Sequence, residues 1–116
     1  MQDYKKLIVW QKAHELTLKI YKATETLPKS EMYGITSQLR RASSSIPANV
    51  AEGSGRKSKN EFKQFLVIAA GSASEVEYYL LLAKDLNYIE QNIFTKLSQI
   101  VSEIRKMLFG LIEKLK

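Results

Sequence analysis

The sequence predicts an all-α protein, an antiparallel up-down-up-down four-helix bundle. Apolar residues recur three and four positions apart in four successive segments, which is the spacing of one face of an α-helix. Only five glycines and two prolines interrupt the 116 residues, and no alternating pattern favours a strand. Because the connections between the segments are short, consecutive helices are expected to run in opposite directions, within a single domain covering residues 1–116.

The first two helices are predicted over residues 7–27 and 31–52. In the first, the apolar positions are Val9, Ala13, Leu16, Ile20, Ala23 and Leu27. Pro28 follows and is expected to end the helix. In the second, the corresponding positions are Met32, Ile35, Leu39, Ala42, Ile46, Asn49 and Gly53. Gly53 and Gly55 are expected to end this helix, because glycine readily adopts the left-handed conformation found at helix ends.

The third helix is predicted to begin after Ser58 and to stop near residues 85–88. Ser58 and Glu61 have the spacing of a capping box, in which each side chain accepts a hydrogen bond from the other residue's backbone N–H. Its apolar face consists of Phe62, Phe65, Ala69, Ser72, Val76, Tyr79, Ala83 and Leu86. The fourth helix is predicted from Gln91 to the end of the chain, and its apolar face consists of Ile93, Leu97, Ile100, Ile104, Met107, Leu111 and either Lys114 or Leu115.

The last two helices carry more apolar residues than one bundle face needs. The fourth has a second stripe, which consists of Phe94, Leu97, Val101, Ile104, Leu108, Leu111 and Leu115. Residues 76–83 of the third are apolar on nearly every side. A helix in a small monomeric bundle normally keeps one polar face, so the excess favours a partner surface and self-association. The alternative is a wide core face on each helix.

The charge balance favours an anionic partner. Eighteen Lys and Arg residues against twelve Asp and Glu residues give a formal net charge of +6. Nucleic acid is the main polyanion that such a protein would bind, although many soluble proteins are mildly basic without such a partner. The absence of cysteine excludes disulfides and thiolate metal sites. Neither a signal peptide nor an apolar run of membrane-spanning length is recognised, which predicts a cytoplasmic protein.

The sequence offers no constellation for catalysis or metal binding. His14 is the only histidine, so no second imidazole can complete a metal site. Glu75 and Glu77 are two residues apart and point to different faces of a helix. The segment from Gly53 to Ser58 lacks the spacing of a phosphate-binding loop and its preceding strand. The protein is therefore expected to be non-enzymatic and to need no cofactor and no metal.

A group of cations surrounds the predicted turn between the second and third helices. Its members are Arg56, Lys57, Lys59 and Lys63, and Arg40 is a weaker candidate for the same nucleic-acid-binding role. Cations at the N-terminus of a helix oppose its dipole, so this cluster favours a polyanion-binding patch. The alternative is a solvated turn. Arg41 is instead expected to form an ion pair with Glu75 or Glu77.

Pro47 is expected to disturb the hydrogen bonds of the second helix. Its ring removes an intrahelical N–H donor and should kink the helix, and nearby serines can bend it further by bonding to carbonyls. Asn49 falls on the apolar face, where an amide needs hydrogen-bond partners. It is expected to bond to another helix or to a carbonyl that Pro47 leaves free.

Several segments are distinctive when they are taken together. They are VWQKA at 9–13, SQLRRA at 37–42, SIPANVAEG at 45–53, GR at 55–56, EF at 61–62, FL at 65–66, GS at 71–72 and MLFGLI at 107–112. They resemble the four-helix bundle family of 23S rRNA intervening-sequence proteins over nearly the whole chain. Ser43 and Ser44 stand where small apolar residues are more usual in that family, and Leu27 stands where Phe is common, without changing the expected fold.

The resemblance implies an antiparallel bundle that assembles as a barrel-like homopentamer. The family is similar to the accessory variability determinant of diversity-generating retroelements, a basic pentamer that binds nucleic acid and its reverse transcriptase. The family has no settled biochemical activity. The leading hypothesis is a non-enzymatic oligomer that binds RNA or DNA phosphates. The second is a protein-interaction scaffold, for example a reverse-transcriptase accessory subunit, that contacts nucleic acid only incidentally.

Overall fold

The computed structural model describes residues 3–116, so the first two residues of the predicted domain lie outside the described part. Four α-helices make up most of it: α1 (Ile8–Ala23), α2 (Ile35–Ser54), α3 (Lys59–Asp85) and α4 (Gln91–Lys114). Three short 3₁₀ helices lie before and after α1: Tyr4–Lys6, Thr24–Thr26 and Lys29–Glu31. Residues 3–116 contain no β-strand. The predicted all-α class and the number of long helices are confirmed.

The four helices pack side by side around one apolar core, in a body of 43 × 23 × 20 Å. α1 packs against α2 and α4, and α3 packs against the same two helices. Two polar contacts show how α2 lies along α3. Arg41 forms the predicted ion pair with Glu75 at 3.2 Å, and the Ser72 hydroxyl donates to the Ser45 hydroxyl at 3.0 Å. Position 41 thus faces position 75, and position 45 faces position 72.

α1 has the predicted core face but ends earlier than predicted. Four of the predicted apolar positions are buried: Val9, Ala13, Leu16 and Ile20. After Ala23 the backbone tightens into a 3₁₀ helix, where the Thr24 hydroxyl donates to the Ile20 carbonyl at 2.7 Å. Leu27 is buried beyond this turn, so the predicted stripe spans two elements.

α2 begins later than the predicted residue 31. Glu31 belongs to the short 3₁₀ helix before α2, and its carboxylate accepts a hydrogen bond from the Ile35 N–H at 3.3 Å. Met32, the first position of the predicted face, precedes α2 and is 54% exposed. The predicted positions from Ile35 to Ile46 are buried, and the face changes near the end of the helix. Val50 is fully buried there, whereas Asn49 is only half-buried.

α2 continues through Pro47, and another helix bonds to the carbonyl that Pro47 leaves free. In an α-helix the N–H of residue 47 would bond to the carbonyl of Ser43. Instead the Thr17 hydroxyl of α1 donates to that oxygen at 3.0 Å, in a buried contact. Asn49 donates within its own helix, to the Ser45 carbonyl at 2.8 Å and to the Ser45 hydroxyl at 2.9 Å. The role expected of Asn49 therefore falls to Thr17.

α3 buries a wider face than predicted because it packs against both α2 and α4. Five predicted positions are buried: Phe62, Ala69, Ser72, Val76 and Ala83. Four others are buried as well: Leu66, Ala70, Ala73 and Leu80. Leu86, the last predicted position, follows the end of α3 and is largely exposed. Asn87 then turns the chain with a φ of 63°, a left-handed conformation that Asn tolerates.

The apolar excess predicted for α4 is largely taken up inside the bundle. Of its second stripe, four members are buried and three are half-buried against the core; the half-buried ones are Phe94, Leu111 and Leu115. Exposed large apolar side chains occur on α1 and α4 as well, for example Leu18 and Phe109, but four of them lie along the outside of α3. We call this strip, with the small exposed residues between the large ones, the α3 outer face, and its members are Val67, Ile68, Gly71, Ser74, Tyr78 and Leu81.

By length and composition alone, α3 would also qualify as a membrane span, with a mean hydropathy of 1.4 over 18 residues. This differs from the sequence-based expectation that no such stretch exists. A core helix of a soluble protein has the same property, and 39% of this window is buried within the fold. The hydropathy of α3 therefore reflects its packing against two neighbours together with its outer face, and it is weak support for a membrane location.

Candidate nucleic-acid interface

The predicted cationic group lies where α2 ends and α3 begins. Residues 55–58 connect the two helices. Ser58 caps α3 by accepting a hydrogen bond from the Glu61 N–H at 3.1 Å, which confirms that half of the predicted capping box. The four cations in and after this connection are called the basic turn, and they are Arg56, Lys57, Lys59 and Lys63.

The basic turn is positioned by a close approach of α2 to α3. Gly53 is buried between the helices, and a Cβ at this position would lie 2.7 Å from the Cβ of Phe65 and 2.9 Å from Cδ1 of Phe62. Any larger residue would push the helices apart. The approach also places the Phe65 ring beside Arg56, whose guanidinium carbon lies 4.9 Å from the ring centroid.

Arg56 is the most constrained member of the basic turn. Besides its contact with Phe65, its Nη2 forms an ion pair with Oε1 of Glu52 at 2.8 Å. These side chains are 45% and 56% exposed, so the pair adds little stability. It does offset part of the charge of Arg56, and it holds the guanidinium in a fixed place.

The three lysines of the basic turn have no ion-pair partner among residues 3–116. Lys57 and Lys59 are exposed, and Lys63 is half-buried. Lys57 and Lys59 flank the start of α3 and Lys63 lies about one turn inside it, in the region where the helix dipole is also positive. The positive potential of these groups is therefore additive, and it can attract a phosphate that approaches this end of the helix.

Arg40 does not join the basic turn. It lies about 16 residues before Arg56, or roughly 24 Å along a helix axis. Its guanidinium carbon lies 4.7 Å from the ring centroid of Tyr21, and its Nε donates to the Thr24 hydroxyl at 2.9 Å. These contacts give Arg40 a packing role between α1 and α2, which sequence reasoning did not foresee.

Three further lysines, Lys5, Lys6 and Lys114, add to the positive surface of the protein. Sequence reasoning missed them. Lys6 and Lys114 line one groove of about 450 Å³ between the start of α1 and the end of α4. The 3₁₀ helix that carries Lys5 and Lys6 also packs against α2. These lysines come from opposite ends of the chain, so only the fold brings them together. The one signal in the sequence is the density of lysine at residues 5–6 and 114–116.

Other polar groups make structural contacts. The pKa of Lys12 is raised, first by its hydrogen bond to Glu103 at 2.7 Å. The pKa of Tyr88 is raised because its phenol donates to the Glu31 carboxylate at 3.0 Å. Within the described residues, no three His, Cys, Asp or Glu side chains are placed to hold a metal ion. His14 is exposed and stacks on a tryptophan instead.

The fold and the site together define a small basic helical-bundle protein whose exposed cations suit the recognition of anions. The chain belongs to the 23S rRNA-intervening sequence protein family, whose model matches residues 5–110; the resemblance is thereby confirmed. It is also similar to a solved structure from Bacteroides thetaiotaomicron, a protein with unknown function from the S23 ribosomal protein family. The two are 29% identical with a TM-score of 0.82, over 90% of this chain and 98% of that chain. Comparison with curated proteins gave no significant match.

Proposed function

We propose that the protein is a non-enzymatic, oligomeric nucleic-acid-binding protein of the cytoplasm that contacts RNA or DNA phosphates through its basic turn. The observation that carries this proposal is the cluster of Lys57, Lys59 and Lys63 near the N-terminus of α3, none of which has an ion-pair partner within residues 3–116. The net charge of +6 supports it, as does a family name that refers to an intervening sequence of rRNA. Phosphate recognition by fixed cations requires no cofactor.

The basic turn is expected to bind with little sequence preference. Phosphate contacts position a nucleic acid but do not read its bases. Near the basic turn, in the first turns of α3, Phe62 is buried and Phe65 lies beside Arg56. Neither ring is therefore free to stack on a base. A few cations bind weakly by themselves, whereas linked copies of the same patch bind with much higher avidity. The proposed function therefore depends on assembly.

We further propose that the chain is an antiparallel bundle that forms a homo-oligomer through the α3 outer face. The large side chains of this face are 41% to 55% exposed, and the exposed Glu75 beside them is paired with Arg41. Soluble monomers rarely leave such a strip free. A pentamer is the state that the family resemblance implies.

Leu81→Glu is expected to weaken this assembly, because it would bury an unpaired charge in the interface. Leu81 is 41% exposed in the single chain, so the bundle itself should still fold. Native mass spectrometry at micromolar concentration measures the outcome. Leu18→Glu is the matched control, since Leu18 is 57% exposed on α1. Val101 lies on the second stripe of α4 but is fully buried, so a charge there would unfold the protein instead of testing assembly.

The assembly proposal has a clear contrary result. A wild-type protein that stays monomeric at high micromolar concentration would contradict it, and so would a Leu81→Glu variant that assembles as the wild type does. Circular dichroism of each variant checks that the helices are retained.

The nucleic-acid proposal is tested by fluorescence anisotropy with labelled RNA and DNA at several salt concentrations. The logarithm of the affinity should fall linearly with the logarithm of the salt concentration, because binding releases counterions. Replacing Lys57 and Lys59 together with Glu should weaken binding and flatten the slope, by about 0.7 for each phosphate of a single strand that the variant no longer neutralises.

The matched control replaces two lysines far from the basic turn, Lys29 and Lys96, with Glu. Both are exposed and lack ion-pair partners in the described part of the chain. This control changes the net charge equally, so it separates a local contact from general attraction. Equal losses of affinity in both double variants would mean that the basic turn is no special site. Absence of binding by the wild type at low salt would refute the proposal.

A second candidate function, the protein-interaction scaffold, is favoured by a groove of about 430 Å³ between α1 and α4. Its lining combines four apolar side chains with one threonine and three lysines: Ala23, Ile93, Leu97, Ile100, Thr26, Lys19, Lys22 and Lys96. Such a groove fits an acidic amphipathic segment of a partner such as a reverse transcriptase. Protein binding that the basic-turn variant leaves unchanged, together with weak nucleic-acid binding, would favour this function over the first.

A further inference from the structure

Three aromatic rings form a continuous column on one side of α1. The ring of Tyr4 meets Trp10 edge-on, with centroids 5.0 Å apart and an interplanar angle of 68°. Trp10 and His14 stack nearly parallel, with centroids 5.1 Å apart and an angle of 8°. We call Tyr4, Trp10 and His14 the aromatic column. His14, at its outer end, is exposed and has no hydrogen bond or ion pair among residues 3–116.

The segment that carries Tyr4 is held in place by polar contacts. The Asp3 carboxylate accepts a hydrogen bond from the Lys5 N–H at 3.1 Å, and the Gln11 side chain donates to the Lys5 carbonyl at 2.9 Å. Trp10 packs against the apolar core. The rings are therefore arranged before any ligand arrives, which reduces the entropy cost of binding.

Cations lie beside the aromatic column. Lys5 Nζ is 6.0 Å from the centroid of the Tyr4 ring, and Lys6 follows in the same 3₁₀ helix. This 3₁₀ helix packs against α2. Thr17, farther along α1, contacts Ser43 near the middle of α2. The part of α2 that runs from this contact to the level of Tyr4 is its C-terminal half. Tyr4, at the end of the column farthest from His14, and the basic turn that follows α2 thus lie at the same end of the bundle.

We propose that the aromatic column stacks an unpaired nucleobase on the exposed imidazole of His14, while Lys5 and Lys6, at the Tyr4 end of the column, hold phosphates farther along the same strand. This inference rests on the proposed function and deepens it, because it names single-stranded nucleic acid as the ligand. Bases in a duplex are already stacked and paired, so only an unpaired base can add to the column. Every base has a π-face, so the contact tolerates any sequence.

Trp10 makes the proposal directly measurable, since it is the only tryptophan of the chain. Single-stranded oligo(U) and oligo(dT), a duplex with the same number of phosphates, and inorganic polyphosphate are titrated at low salt. The single strands are expected to bind about tenfold more tightly than the duplex and to change the emission of Trp10. Polyphosphate, which has no bases, should bind without changing that emission. Comparison of oligo(U) with oligo(dT) separates an RNA from a DNA preference.

His14→Ala is expected to weaken single-strand binding about tenfold and to leave the duplex and polyphosphate affinities unchanged. His14→Phe keeps a flat ring and should restore single-strand binding. Leu18→Ala is the matched control, because Leu18 is an exposed side chain one turn farther along α1. His14 is exposed, so its replacement should not disturb the core, and circular dichroism checks this.

The results separate this inference from the proposed function. Salt-dependent binding that is equal for single strands and duplex, or that His14→Ala does not change, would overturn the column and leave the basic turn standing. Failure to bind any nucleic acid at low salt would overturn both.

Discussion

Thr17→Val tests the contact between α1 and the proline-containing helix α2. The substitution removes one hydroxyl and nearly keeps the shape of the side chain. In the wild type this hydroxyl lies 3.0 Å from both the Ala13 carbonyl and the Ser43 carbonyl. The Ala13 carbonyl can still accept the N–H of residue 17 within α1. The Ser43 carbonyl has no such reserve, because residue 47 is a proline.

The expected magnitude follows from burial. Thr17 is 9% exposed and Ser43 is fully buried, so the freed carbonyl cannot easily turn to water. A buried polar group left without a partner costs about 1–3 kcal/mol. The melting temperature should fall by about 4 °C for each kcal/mol in a protein of this size.

A double-mutant cycle with Pro47→Ala isolates this contact. The second substitution supplies an N–H that can bond to the Ser43 carbonyl within α2. Thr17→Val should therefore cost less in that background, with a coupling free energy of about 1 kcal/mol. Urea unfolding followed by circular dichroism measures all four proteins. The protein concentration is kept fixed, because stability depends on it if the chain assembles.

Thr26→Val is the control, since it removes an exposed hydroxyl that donates to a local carbonyl at 3.4 Å. It should change the free energy of unfolding by less than about 0.5 kcal/mol. If Thr17→Val is equally mild, or if it costs the same with and without Pro47, then the Ser43 carbonyl does not depend on Thr17 and the reasoning fails.

Gly53→Ala is expected to lower the free energy of unfolding by about 1–3 kcal/mol, because the new methyl group would lie 2.7 Å from Phe65 Cβ. Gly110→Ala, where nothing lies within 4 Å, should raise it by about 0.5–1 kcal/mol, and urea unfolding compares the two. Tyr88 should ionise later than an ordinary tyrosine, because its hydrogen bond to Glu31 raises its pKa; its stabilising effect is present below the ordinary pKa and is lost as the pH rises through the folded value. A spectrophotometric titration in which Tyr88→Phe keeps the late tyrosinate component would contradict this.

The helices could be predicted from the sequence, whereas one of their boundaries depends on distant contacts. A buried residue every three or four positions is a local property, and α1 shows it directly. The start of α2 is different. Glu31 accepts the Ile35 N–H with one carboxylate oxygen and the Tyr88 phenol with the other. Tyr88 is far away in sequence, so no local pattern could place this boundary.

The candidate site divides in the same way. The basic turn could be predicted because its cations are neighbours in sequence. Arg40 was selected by charge alone, and its packing on Tyr21 is visible only in the folded protein. Lys6 and Lys114 were missed because they meet only when the ends of the chain meet. Trp10 and His14 have a helical i, i+4 spacing, but only the folded protein shows their rings stacked nearly parallel.

The basic turn lies at the start of the helix that carries the α3 outer face, so the proposed assembly and the proposed binding would be linked. Lys59 lies about eight residues before Val67, or roughly 12 Å along the axis of α3. In a closed ring built on the outer face, each copy would therefore carry its basic turn close to an interface, and the turns would repeat around one rim. A strand long enough to span several turns would gain avidity, whereas a short strand would not. The Leu81→Glu variant should consequently lose affinity for long strands and keep its affinity for short ones. An equal loss of affinity for both lengths would contradict the link between assembly and binding.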